Sequence, residues 1–186
     1  MGYRGLAVEQ VAREVGIDAR AIYHYFPSKR ALYGAACAAA FEDYLSDVES
    51  LVFVHDDLRG RLHGFVDLYR TLFGKKRYLL SFISVVMVES IVPAGSGSTG
   101  EPSKRDGALV EDLTAMGTPI LAMNRLLVDQ AMARHELGPS VDGEGAMTLL
   151  HVVGMGLGLA SLGPDVSFLP MLDALDQLID GTLLGS

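Results

Sequence analysis

The sequence predicts an all-α protein with a small N-terminal head and a larger helical body. Apolar residues recur at helical spacing along nearly the whole chain, Gly, Pro, Ser and Asp fall between those runs, and no segment alternates as a half-buried strand does. With 186 residues, 49% of them hydrophobic and 20% charged, the chain can bury a substantial core.

The first two elements are the most sharply drawn. Val8, Val11, Ala12 and Val15 sit at i, i+3, i+4 and i+7, so Ala7–Val15 is expected to form a helix with these four on its buried face. Gly16 can adopt the left-handed conformation that ends it, Ile17 is expected to return to the core, and Asp18 is a good N-cap for a second helix to about Tyr25. In that helix Ile22 and Phe26 share a face, and Ala12 is small where two helices cross. Ser28 caps a third, long helix running to about Val54. Further helices are expected over Asp57–Gly74, Lys76–Ile91, Ala108–Leu137, Gly143–Leu162 and Ser167–Leu184. Pro93–Gly107 reads as a loop, since it is rich in glycine, serine and proline and has no apolar periodicity, and Gly163-Pro164-Asp165 reads as a tight break. No internal repeat is visible.

Composition narrows the function classes. A single cysteine, Cys37, rules out an internal disulfide and fits a reducing cytoplasm, and the opening Met-Gly-Tyr-Arg-Gly has no secretory-signal pattern. Ala146–Leu162 is the most membrane-like stretch, but it is short, glycine-rich and interrupted by His151, so a buried or partner-facing helix is expected and no membrane association. Cys37 lies among alanines and reads as packing. The five histidines show no metal-ligand spacing, and His63 and His151 read as core histidines. No acid, base and nucleophile cluster in sequence, so neither enzymatic activity nor a cofactor is expected. The net charge of −8 is unevenly placed: residues 1–40 carry five basic and three acidic side chains, net +2, and the remainder ten and twenty, net −10. A basic head on an acidic body suits a protein that offers one face to nucleic acid.

The first two helices have the layout of a helix-turn-helix, the second free to enter a major groove. Its polar side carries Ala19, Arg20, Tyr23 and His24, with Tyr25 at its end. Arginine can make two hydrogen bonds to a guanine edge, and tyrosine hydroxyls commonly donate to phosphates. Lys29 and Arg30 fall in the first turn of the third helix, where they oppose the helix dipole by about 0.3–1 kcal/mol each. A phosphate at that helix start would reverse the sign.

The run GYRGLAVEQVAREVGIDARAIYHYFPSKRAL resembles the DNA-binding head of the TetR (tetracycline repressor) family, through Gly2, Tyr3, Val8, Val11, Ala12, Gly16, Ile17, Ile22, Tyr23, Tyr25, Phe26, Ser28, Lys29 and Leu32. The resemblance covers about a sixth of the chain. It implies that Tyr23, Tyr25 and Lys29 touch phosphates while Ala19, Arg20 and His24 face the groove. Ala7 stands where the family often has threonine, and it cannot supply that hydroxyl's cap or backbone contact. The family also places a full helix before the Gly-Tyr opening, packed beneath the two short ones; either residues ahead of Met1 supply it, or the head lacks part of its core and is expected to bind DNA poorly.

Within this frame residues 1–45 are the expected DNA-binding domain and 46–186 an effector-binding and dimerisation domain. Gly154, Gly156, Gly158, Ala160 and Ser161 make one helix unusually small-sided, which suits close helix approach, and Phe168, Leu169, Leu172, Leu175, Leu178 and Ile179 form an apolar stripe on the last. Two such helices per subunit form the family's four-helix dimer interface, and Gly154, Gly158, Ser161, Leu172, Leu175 and Ile179 are the expected interface residues. The alternative reading of these helices is an intramolecular core. Phe65, Tyr69, Phe82, Met87, Met116, Met123 and Asn124, with Tyr78 nearby, can line an adaptable apolar pocket or serve as ordinary core. The expected function is a cytoplasmic transcriptional regulator, a repressor that binds a palindromic double-stranded operator as a homodimer and is released by a small, largely apolar effector. The alternatives are a dimeric small-molecule-binding protein that has lost DNA binding, and an all-α enzyme.

Overall fold

The computed structural model describes residues 2–91, 104–163 and 168–182, with side chains except at positions 90, 91, 104–110, 113 and 116. Eight helices and no strand occur among the described residues: α1 (Val8–Val15), α2 (Ala19–Tyr25), α3 (Lys29–Leu51), α4 (Leu58–Lys75), α5 (Arg77–Ile91), α6 (Lys104–Ala133), α7 (Gly143–Ala160) and α8 (Phe168–Ile179). The all-α class is as the sequence predicts.

Local chemistry sets most of the boundaries. Gly16 adopts φ 74° and closes α1 while the Ile17 N–H returns to the Ala12 carbonyl at 2.9 Å. Carboxylate or hydroxyl N-caps open four helices: Asp18 accepts from the Arg20 N–H, Ser28 from Ala31, Asp57 from Gly60 and Asp142 from Gly145. Ala7, at the N-cap of α1, makes no such bond. The end of α8 and both ends of α6 differ from expectation: α8 stops at Ile179, short of Leu184, where Gly181 takes φ 74° and the Thr182 N–H bonds back to the Gln177 carbonyl. The stretch expected to be loop to Gly107 is helical from Lys104, and α6 runs through Pro119 and stops at Ala133 instead of Leu137. It stops there because His135 takes a left-handed φ of 58° and the Glu136 N–H bonds back to the Ala131 carbonyl at 2.9 Å. The rest of that predicted loop, residues 93–103, and Pro164-Asp165 of the predicted break lie outside the described residues.

Two cores form. In the head, Val8, Ala12 and Ile22 are buried against Val11, Ala19, Phe26 and Leu32. Val15 and Ile17, expected inside, are 61% and 50% exposed. The turn at Gly16 carries the chain away from the crossing of α1 and α2, and no described element covers the end of α1 there. In the body, Tyr33, Cys37, Phe41, Tyr44 and Val48 form the inward stripe of α3, and α4, α5 and α6 all pack on that helix. Burial pushes the Cys37 thiol up to about 12, so this cysteine is a packed, inert side chain. Helix α7 lies on α5 and α6, and α8 on α4. The α5–α7 contact is close enough that a Cβ on Gly158 would stand 2.6 Å from Ser84 Oγ.

Candidate nucleic-acid interface and interior cavity

The α2 helix presents an outward polar face. Arg20, Tyr23, His24 and Tyr25 are all exposed, and the Arg20 guanidinium makes no ion pair or hydrogen bond to another described residue. The His24 and Tyr25 rings meet edge to face at 5.3 Å. Ala19 departs from the expected placement. It shares a face with Ile22 and Phe26 at i, i+3 and i+7, is half-buried and packs on the head core, so its side chain does not belong to the outward set. Lys29 is half-buried at the start of α3, with Nζ 4.7 Å over the Tyr3 ring and 3.5 Å from the Arg4 carbonyl oxygen. Arg30 binds Asp112 of α6 through Nε (2.9 Å) and Nη2 (2.5 Å), so its charge at that helix start is answered within the chain.

A second link joins head and body. The Tyr3 backbone N–H donates to Glu89 Oε1 at 2.9 Å and to Oε2 at 3.2 Å, and the Tyr33 hydroxyl donates to Oε2 at 2.7 Å. Burial, then the Glu89 carboxylate, push the Tyr33 hydroxyl well above the usual tyrosine range, so it stays a neutral donor. Tyr33 also stacks edge to face between Tyr3 (5.4 Å) and Phe82 (5.7 Å). Nothing in the sequence flags Glu89, because its partners lie 56 and 86 residues away.

The body encloses a central cavity of about 40 Å³. Of the predicted pocket residues, Phe65, Tyr69, Met87 and Asn124 line it. Phe82 does not, since its ring is taken up against Tyr33. Met123 is buried in the core without reaching the cavity, Tyr78 is exposed, and the Met116 side chain lies outside the described set. The sequence reading missed Tyr44, Ser84, His151 and Met155, which complete much of the wall. The Tyr69 hydroxyl donates to the Gly154 carbonyl at 2.9 Å. Burial raises both cavity phenols, Tyr44 to about 12 and Tyr69 well above the usual tyrosine range, so neither supplies charge. Asn124 is 3% exposed, and its amide makes no hydrogen bond to another described residue. A second, apolar pocket of about 330 Å³ lies between the start of α4, the end of α6 and the start of α7, and Leu150 lines both.

Several of the expected dimer-interface residues on the two C-terminal helices pack within the chain, as the alternative reading of an intramolecular core has it. Ser161 and Leu172 are buried within the chain, a Cβ on Gly158 would meet Ser84 and one on Gly154 would face the Tyr69 hydroxyl at 3.4 Å, so these four contact neighbours in the same chain. Leu175 and Ile179 are partly buried against the same core. The free apolar face of α7 is instead Leu149 (63% exposed), Val152 (58%), Gly156, whose missing Cβ faces open space, and Leu159 (46%). By length and composition α7 could cross a membrane, and only 11% of it is buried within this chain. On the other side α8 is clasped to α4 by charge. His63 Nδ1 lies 2.8 Å from Asp176 and Nε2 3.1 Å from Asp180, while Arg70 Nη2 reaches Asp173 (2.6 Å) and Asp176 (2.7 Å). His63, expected in the core, is thus a partly exposed ion-pairing residue. Its pKa is raised, chiefly by the bond to Asp176; at Asp176 burial works upward, but His63 and Arg70 prevail and hold the carboxyl below its usual range. No group of three or more metal-ligating side chains occurs among the described residues.

A helix-turn-helix with an outward arginine, histidine and tyrosine face, mounted on a helical body, is the layout of a DNA-binding protein of the all-α class. The sequence model for "Bacterial regulatory proteins, tetR family" matches residues 1–36. The head is thus that of a TetR-family transcriptional regulator, carried on an all-α body. The fold is similar to that in "Structural analysis of fatty acid degradation regulator FadR from Bacillus halodurans", with a TM-score of 0.72 at 14% identity, over 99% of this chain and 89% of that one. No curated protein matches the sequence.

Proposed function

We propose that the protein is a cytoplasmic repressor that binds a palindromic operator as a homodimer and is released by a small, largely apolar effector. The observation that carries the reading is the outward face of α2. Arg20 stands free to read base edges, Tyr23, Tyr25 and Lys29 surround it as phosphate contacts, and His24 flanks the groove side. The head is proposed to end near residue 45 and the effector and dimer part to follow, with α3 common to both, since Tyr33 already belongs to the body core.

Dimerisation is supported by the free face of α7. Leu149, Val152, Gly156 and Leu159 follow 3-4-3 spacing, the seam that packs helix on helix. Two copies joined there would present two α2 helices to half-sites one helical turn, about 34–36 Å, or a multiple apart. Effector binding is supported by the cavity and by its connection to the head. Leu80, Ile83, Ser84, Met87 and Val88 of α5 line the cavity, and Glu89 on the same helix holds Tyr3 and Tyr33. A ligand that displaces α5 shifts the head through that carboxylate and through α3, and operator affinity falls because the two states bind DNA differently. The structural neighbour's role as a fatty acid degradation regulator accords with an effector of lipid character. The protein works by binding, with no catalytic step.

Fluorescence anisotropy of the full-length protein on its own promoter region tests the assignment of roles. Lys29→Ala should weaken binding to all duplexes alike, whereas Arg20→Ala should relax the preference between operator and mismatched duplex by about 1–3 kcal/mol. Equal loss of preference in both variants would contradict the roles given to α2.

A further inference from the structure

The central and lateral cavities are unlike each other, and they share one lining residue, Leu150. The central one is about 40 Å³, holds the unpartnered Asn124 amide and the His151 ring, and is far below the roughly 300 Å³ at which ligand pockets begin. The lateral one is about 330 Å³ and, apart from Asp142 at the cap of α7, is walled by aliphatic side chains, glycine and alanine. Leu150 forms part of both walls. Among the described residues no lysine or arginine lines either cavity, and the charged side chain there, Asp142, is negative. Burying an ionised carboxylate without a partner costs far more than burying a hydroxyl or amide.

We infer that the two cavities form one site divided by the Leu150 side chain, and that it takes an elongated, uncharged amphiphile. The aliphatic tail occupies the lateral pocket, the chain passes Leu150, and a neutral hydrogen-bonding head, such as an alcohol, amide or ester, meets Asn124 and His151. The inference rests on the effector reading above and narrows it to a ligand with an uncharged head, since no lysine or arginine stands among the described residues of the central cavity.

Isothermal titration of the full-length protein with linear alcohols from 1-butanol to 1-decanol, and with decanoate and decyltrimethylammonium below their micelle concentrations, tests it. Affinity should rise about fourfold per methylene as the tail enters the lateral pocket. Decanol should bind at least tenfold more tightly than either charged probe. Leu150→Trp should abolish the gain beyond the shortest alcohols, and Asn124→Leu should erode the advantage of decanol over decanoate. The wild-type alcohol series carries the test without any variant having to fold. A plateau after butanol would overturn the continuous site. Decanoate binding as tightly as decanol would overturn the neutral head while leaving an effector site in place. Failure of every probe to bind would overturn both this inference and the effector reading beneath it.

Discussion

Removing the Glu89 carboxylate probes the contact that ties the head to the body. It accepts from the Tyr3 N–H and from the Tyr33 hydroxyl, and Tyr33 is 3% exposed. A hydrogen bond to a charged group contributes about 1.5–3 kcal/mol, and a buried donor left without a partner costs about 1–3 kcal/mol. Glu89 is only partly buried, so water can replace some of its own bonds. Glu89→Ala is therefore expected to destabilise by about 2–3 kcal/mol. Tyr33→Phe removes the stranded donor along with its bond and should cost about 1 kcal/mol. Because the two residues share one contact, the double variant should recover about 1 kcal/mol relative to the sum of the singles. The assay is urea unfolding by circular dichroism at fixed protein concentration, since association with a second copy would otherwise shift the midpoint. The head helices α1 and α2 should also lose amide-exchange protection before α4 and α8 do. A Glu89→Ala variant within about 0.5 kcal/mol of wild type, or strictly additive singles, would refute the reasoning.

Three other perturbations follow from the geometry. The raised pKa of His63 means that its contribution to the α4–α8 clasp is complete below its unfolded value near 6.5 and is lost as pH rises through the higher folded value, so unfolding midpoints should decline across that window in wild type and flatten in His63→Gln. Gly158→Ala should destabilise by about 1–3 kcal/mol because the new methyl meets Ser84 Oγ, and Ser84→Ala should rescue it in a double variant, read by thermal unfolding. Val152→Asp on the free face of α7 should convert a dimer to monomer in sedimentation velocity while leaving helical content unchanged, whereas the same charge at exposed Tyr78 should leave the dimer intact.

What the sequence discloses depends on the range of the interaction. Gly16, Asp18 and Ser28 act on backbone groups within five residues of themselves, so the head could be drawn from spacing and turn chemistry alone. Ala19 was misplaced because a two-turn helix leaves little room to separate a packing face from a reading face. The cavity was partly legible, since Phe65, Tyr69, Met87 and Asn124 have the right chemistry, but whether a buried side chain faces a void or its neighbours is a matter of packing. Phe82 and Met123 show the second outcome. Small residues on α7 suit close approach to any helix. Gly158 serves that purpose within the chain, against Ser84, while Gly156, two residues and 200° of helix turn earlier, faces open space. The Glu89 link, between residues 56 and 86 positions apart, leaves no local trace at all.

The central claim is that this chain regulates transcription by gripping DNA through α2, and the most direct test is the salt dependence of its binding to its own promoter region. Anisotropy titrations of the full-length protein against that duplex and an unrelated one, from 50 to 200 mM salt on the order used for such slopes, should show two chains per site. They should also show an affinity at least a thousandfold above the unrelated duplex and a log–log slope of about −0.9 for each phosphate contacted. Equal affinity for the two duplexes, or binding that does not weaken with salt, would contradict the account.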